Sequence, residues 1–353
     1  NESIIPAYYD LHMFLLFTYL NKARKVDGIH ALPNGKQLYA YMIRKETTTE
    51  MSPDSIYALG LREVERIDKE MQSVKDSLGF SGSVEEFRKA LIKDPANFYS
   101  SKQPMMDEYR RILSIVDSKL STLFGRLPSS PYDLKEIEPY RAVSAPQAYY
   151  YPAPLDRSRP GYFYVNTYDL ASRPKHTMTA LALHEAIPGH HLQIAIAQEL
   201  PKMPWFRQQL GINAFVEGWA LYAESLGHDL NIYQDPYQHF GALAFEMWRA
   251  CRLVIDAGIH TGKMNREEGV QFMMKYTGNA ELDARSEVDR YIVWPAQALS
   301  YKLGQLHILS LKKEMQNALG SRFSLKAFHD AILMHGPLPL TMLSEQVRKS
   351  LIN

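Results

Sequence analysis

His184-Glu185-Ala186-Ile187-Pro188-Gly189-His190-His191-Leu192-Gln193 is the stretch on which the reading of this chain turns. It follows the apolar run Met178 to Leu183, which reads as a helix entering the protein interior. Two imidazoles four residues apart on a helix differ by about 40° around the axis and about 6 Å along it, so they can share one metal ion. Here the next imidazoles come six and seven residues after His184. On an unbroken helix position +6 faces about 240° away and position +7 sits about 10 Å along, so neither reaches a shared ion. Pro188 and Gly189 supply a distortion, since proline removes an intrahelical donor and glycine lets the backbone loop outward. Two looped-out residues restore the four-residue phase for His190, which makes His184 and His190 the expected ligand pair, with His191 the alternative if the helix stretches instead. The plain reading is a helix end carrying polar side chains.

A metal held this way needs a third ligand. The run Phe215-Val216-Glu217-Gly218-Trp219-Ala220-Leu221-Tyr222-Ala223-Glu224 is an apolar helix with two carboxylates seven residues apart, hence on one face. Burying a carboxylate unpaired is costly, and a cation relieves it. Glu217 is the expected third ligand and Glu224 the group that orients a ligating imidazole. A salt bridge to an arginine is the competing explanation for each. Cys251 is the only cysteine of the 353 residues, so no multi-thiolate site exists, and its apolar neighbours Trp248, Leu253 and Val254 mark it as a buried structural thiol.

Working outward, the texture is helical. Ser52-Pro53 opens a long amphipathic helix that runs to Gly79, Ser83 with Glu86 and Asn265 with Glu268 form capping boxes, and Ser324 opens a helix that stops at Gly336-Pro337. Leu11 to Leu20 is too short to span a membrane and reads as a core helix. Between Tyr132 and Lys175 tyrosines and prolines predict short strands, with a hairpin around Asp156 to Gly161 and a small β-sheet near residues 145–168. The expected fold class is therefore mainly α with this small sheet, in one continuous domain over residues 1–353. Forty Lys and Arg against 39 Asp and Glu leave a net charge of +1, which offers no field to gather nucleic acid. No nucleophile elbow, phosphate-binding loop or dinucleotide fingerprint is present. The chain starts at Asn1 with no initiator Met, basic region or cleavage site, so a missing upstream segment and an exported, periplasmic location are expected.

The tracts HEAIPGHHLQ, VEGWALYAE, WRACRLVIDAGIH (Trp248 to His260) and RYIVWPAQALSYKLG (Arg290 to Gly304), preceded by LPNGKQLYAYMIRKETTT near the start, occur in order and resemble the bacterial domain-of-unknown-function family 885. That family is grouped with gluzincin-type metallopeptidases, and the resemblance covers nearly the whole chain. It implies a mostly helical zincin-like fold, zinc as cofactor and a peptide as substrate. It also implies that the chain is the C-terminal part of a larger protein.

The roles then follow. Glu185, beside ligand His184, is the expected general base toward a metal-activated water. Tyr301 is the first choice and His260 the second for the donor that stabilises the oxyanion. Arg252 or Lys302 would hold a substrate carboxylate. The segment Gly161 to Asn166, with Tyr164 and Asn166, would be the edge strand to which an extended peptide adds. A metal-dependent amidase or esterase would use the same donor set, and a non-catalytic binding homologue would keep the fold. Glu185 argues against the last, having no metal-binding duty. Two histidines and a carboxylate also suit non-haem iron, and the adjacent glutamate on a helix favours zinc.

Overall fold

The computed structural model describes residues 1–201, 203–204, 206–207 and 211–352, which form a mainly helical protein carrying one three-stranded sheet. Helix ends lie where local chemistry puts them. Ser52 accepts from the Ser55 amide at the start of helix Pro53–Ser77, and Gly79 follows its end at φ 71°. Both capping boxes form, at the heads of helices Val84–Lys93 and Arg266–Thr277, and Ser324 caps helix Leu325–Leu333.

Four helices build the centre. The helix Met178–Glu185 is buried from Met178 through His184. Beside it lies helix Asn213–Asp229, which carries Glu217 and Glu224. Helix Leu299–Leu319 crosses the latter where Gly218 meets Gly304. A Cβ on Gly304 would stand 2.0 Å from the Ala214 carbonyl oxygen, and one on Gly218 would stand 2.5 Å from the Gly304 Cα, so only glycine allows the two backbones to touch. Helix Pro236–Thr261 packs lengthwise on Pro53–Ser77 and contributes Trp248, Arg249 and Arg252.

A charged network ties three of these elements together. Lys302 is fully buried, and its Nζ reaches Glu246, Glu63 at 3.0 Å and Gln305 at 2.8 Å, while Arg66 also holds Glu63 and Glu246. Lys302 is therefore not the substrate-carboxylate group expected from the sequence, because all its donors are spent inside the fold.

The sheet comprises β1 (Tyr132–Glu136), β2 (Ala148–Tyr151) and β3 (Gly161–Val165) in the order β1-β3-β2, with β1 parallel and β2 antiparallel to β3. The expected hairpin joins β2 to β3. The parallel strand β1 falls within the Tyr132 to Lys175 region expected to hold short strands but outside residues 145–168 expected for the sheet, since its sequence Tyr-Asp-Leu-Lys-Glu shows little apolar alternation. Because β3 is paired on both sides, it is not a free edge for peptide addition, which corrects the expectation for Gly161 to Asn166. Phe163 and Val165 are buried, with Phe163 edge-on to Tyr109, whereas Tyr162 and Tyr164 occupy the other face, where Tyr164 stacks on Tyr149. The Asn166 side-chain amide donates to the carbonyls of Ala142, Ala145 and Pro146, and its Oδ1 accepts from the Tyr168 amide. It pins a turn and has no capacity left for substrate.

The apolar N-terminal run also departs from expectation. Helix Ile4–Phe14 and the turns through Lys22 have no buried residue, and Ile4, Tyr8, Phe14 and Phe17 are each more than half exposed. Apolarity on every side of this helix gives no single face that would select a packing partner within the chain. No helix among the described residues is long and apolar enough to cross a membrane.

His329 illustrates how the core handles histidine. Its Nδ1–H donates to the Leu123 carbonyl and its Nε2 accepts from the Tyr222 hydroxyl, both at 2.8 Å, so the ring is held neutral. Burial pushes its pKa, and that of the partly buried His176, down to about 4. Both folded values lie below the ordinary value near 6.5, so as pH falls the unfolded chain takes up protons first. The stabilisation is complete above about pH 6.5 and is lost toward pH 4, at about 1.4 kcal/mol per pH unit for each such ring. Thermal unfolding followed across pH 7.5 to 4 should show a falling midpoint that flattens in His329→Gln, and a midpoint independent of pH in this window would refute the assignment.

Candidate metal centre

The helix holding His184 ends at Glu185, and the backbone turns outward over residues 186–189 before helix His190–Glu199 begins. The Ala186 amide still donates to the Ala182 carbonyl, and the His191 amide donates back to the Ala186 carbonyl at 3.0 Å, so the excursion is closed at both ends. The Pro188 carbonyl accepts from the Trp219 indole at 2.9 Å, which fastens the turn to the helix of Glu217. Gly189 is obligatory here, since a Cβ would stand 1.9 Å from the His184 carbonyl oxygen. The Ile187–Pro188 peptide is cis.

This turn brings His190 to His184, with ring centroids 4.9 Å apart and planes nearly perpendicular. Glu217 completes the group: its Oε2 lies 3.8 Å from His184 Nε2 and 3.5 Å from His190 Nε2. That oxygen is buried and has no hydrogen-bond partner. One ligand atom from each of the three residues lies within 4.8 Å of the others. A tetrahedral ion with bonds of roughly 2.0–2.2 Å holds its ligand atoms roughly 3.3–3.6 Å apart, so the three residues fit a zinc-sized cation after small adjustments.

The surroundings tune these groups. His184 Nδ1 is 2.7 Å from Glu224 Oε1, the arrangement in which an outer carboxylate orients a ligating ring. Burial, with Arg249 adding to it, drives the His184 pKa well below its ordinary value. Burial raises Glu224 to about 8, against the pull of Arg249. Burial also raises Glu185, whose Oε2 accepts the Tyr150 amide of β2 at 2.9 Å. For Glu217, burial is outweighed by the His190 ring and by Arg252 and Arg249, which leave its pKa lowered.

Other expected residues are distributed differently. His191 turns to the sheet, its Nδ1 2.8 Å from the Tyr150 hydroxyl and its ring against Tyr132, so the alternative ligand is excluded by direction. The Tyr301 ring lies under the Arg252 guanidinium at 4.4 Å, and burial and the Glu217 charge raise its pKa, keeping the hydroxyl protonated beside the cluster. His260 is elsewhere: Nδ1 accepts the Ile29 amide and Nε2 donates to the Tyr291 carbonyl, so both ring nitrogens are spent on backbone and it is not an oxyanion donor. Asp256, four residues after Arg252, binds the Tyr39 hydroxyl and the Ala296 amide instead of that arginine. The edge strand beside the cluster is β2, where Tyr150, of the Tyr149–Tyr151 cluster that the sequence leaves open between cleft lining and core, serves Glu185 through its amide and His191 through its hydroxyl. Sequence reasoning missed Arg249, whose spacing of three before Arg252 on one helix was the available signal.

The profile of the family described as "bacterial protein of unknown function (DUF885)" matches residues 1–347. The chain belongs to the DUF885 family. This DUF885 chain is similar to the crystal structure of a candidate lipoprotein from Colwellia psychrerythraea, at 35% identity and a TM-score of 0.95 over 99% of this chain. A lipoprotein of unknown function from Shewanella oneidensis, likewise a candidate, shares the fold at 20% identity and a TM-score of 0.79 over 96% of this chain. The DUF885 chain spans 61% and 63% of the lengths of these two proteins. No curated protein matches it.

Gly189→Ala forces a methyl into the His184 carbonyl and should cost at least about 1–3 kcal/mol. Urea unfolding measures this, and an unchanged midpoint would show that the turn relaxes freely.

Proposed function

We propose that this chain is a zinc-dependent peptidase with a zincin-like arrangement, in which His184, His190 and Glu217 hold the ion and Glu185 is the general base. The observation that carries the reading is Glu217 Oε2: a buried carboxylate oxygen with no hydrogen-bond donor, directed at two imidazole Nε2 atoms 3.5 and 3.8 Å away. At 3.5 and 3.8 Å the imidazoles pair this oxygen only partly, and a divalent cation among the three groups completes its pairing. A zinc ion there supplies Lewis acidity, polarising a peptide carbonyl and acidifying a water.

The chain's own residues do the rest. Glu224, ionised once a cation at His184 offsets its raised pKa, would accept the His184 Nδ1–H and leave the Nε2 lone pair facing Glu217. Glu185 is held by the Tyr150 amide, and its raised pKa makes it a better base than an exposed carboxylate. It takes the proton of the attacking water and returns it to the departing amine. The Tyr301 hydroxyl, kept protonated, is the donor toward the oxyanion. A peptide substrate lies beside β2, whose edge faces the histidine helix. The lipoprotein descriptions of the two similar structures support an exported location.

Elemental mass spectrometry on protein purified without added metal should find near one zinc per chain, lost in His184→Ala, His190→Ala and Glu217→Ala and kept in His191→Ala. Glu224→Gln should weaken zinc affinity about 10–100-fold. Glu185→Gln should keep the metal and lower peptide hydrolysis by about 10²–10⁴-fold. Absence of zinc even after it is supplied, or a fully active Glu185→Gln, would overturn the proposal.

A further inference from the structure

One face of helix Pro236–Thr261 carries an excess of hydrogen-bond donors beside the cluster. Trp248 Nε1, Arg249 Nε and Arg252 Nη1 are all buried and have no acceptor. They lie together: the Arg252 and Arg249 Cζ atoms are 5.1 and 5.5 Å from the Trp248 ring centroid. Both arginines are over nine-tenths buried, Arg249 at 6% exposure and Arg252 at 5%. Unsatisfied donors at such depth are rare in folded proteins, and three within five residues mean that an acceptor group belongs there.

The charge balance says which acceptor. Arg252 shares its carboxylate partner Glu287, at 3.2 Å, with Arg290 and with the Tyr291 hydroxyl. Arg249 reaches Glu224 only at 3.6 Å, and that oxygen is already 2.7 Å from His184. Each guanidinium therefore keeps one N–H without an acceptor, and a charged oxygen bonds such a donor more strongly than a neutral amide does. One free N–H from each arginine and the indole N–H make three separate donors, which the two oxygens of a carboxylate can take up where a single carbonyl oxygen cannot. The Arg252 guanidinium also covers Tyr301, so a group seated on it lies next to the donor assigned to the oxyanion.

We propose that Trp248, Arg249 and Arg252 form a seat for the free C-terminal carboxylate of a peptide. Resting on the peptidase reading, this makes the substrate class peptides cut near their C-terminus: water adds across the amide, and a short fragment bearing the original carboxylate leaves with the new amine. The carboxylate of an acidic side chain has the same chemistry, and the test separates the two sources.

Isothermal titration calorimetry on the protein, as purified and again after metal removal, compares N-acetyl-alanine, its primary amide and the α-amide of N-acetyl-aspartate. The expected result in both states is binding of N-acetyl-alanine at least about tenfold tighter than its amide, with the aspartate α-amide no better than the neutral amide. Arg252→Gln should erase the preference, and Trp248→Phe should weaken the acid severalfold while leaving the amide unchanged. Equal binding of acid and amide, no binding of the acid, a preference for the aspartate side chain, or a preference that vanishes with the metal would each overturn the seat. The wild-type comparison stands whether or not Arg252→Gln folds. Because the metal-free measurement requires neither zinc nor turnover, failure of the seat and failure of the peptidase reading give different results.

Discussion

The constraint on which this structure depends is electrostatic: a carboxylate and two imidazoles converge among helices where most of their surface is removed from water. Isolated charges in such a place cost several kcal/mol each. Around the Glu217 oxygen the fold sets Glu224 behind one ring, two arginines along the adjacent helix and Tyr301 beside them. None of these would be tolerated singly. The cluster is stable only as a set of mutually compensating groups, and the helices that bear them are placed to keep the set together.

Much of this was legible in sequence because it is local. A serine before a proline and two capping boxes act over three residues, and each forms. The Pro-Gly interruption could be read because helical phase is arithmetic, and the choice of His190 over His191 follows from which ring the outward turn returns to the first. Glu217 and Glu224 were legible since a carboxylate in an apolar helix announces a partner. What failed was non-local. His260 is satisfied by an amide 231 residues away, and Lys302 by carboxylates on two other helices. Asn166 closes a turn through three carbonyls that no spacing rule anticipates. Each lies in or near an informative tract, and nearness in sequence says nothing about where a side chain spends its hydrogen bonds.

The same distinction separates the two halves of the candidate site. Its acidic and imidazole half comes from two short segments, and its basic half comes from helix Pro236–Thr261 together with the helix of Glu287. The first half is compact and readable as a motif. The second is spread over a turn of helix and becomes visible only when the hydrogen bonds are counted and three donors are left over.

The crossing of Gly218 with Gly304 has a mechanical side. Where side chains separate two helices, rotamer changes let one helix slide or roll against the other. Here backbone rests on backbone, so even a small displacement meets a peptide unit that cannot yield. The segment bearing Glu217 is thereby clamped to the segment bearing Tyr301, and the two move as one stiff body. The position of Glu217 relative to Tyr301 is set by backbone contact more than by soft packing.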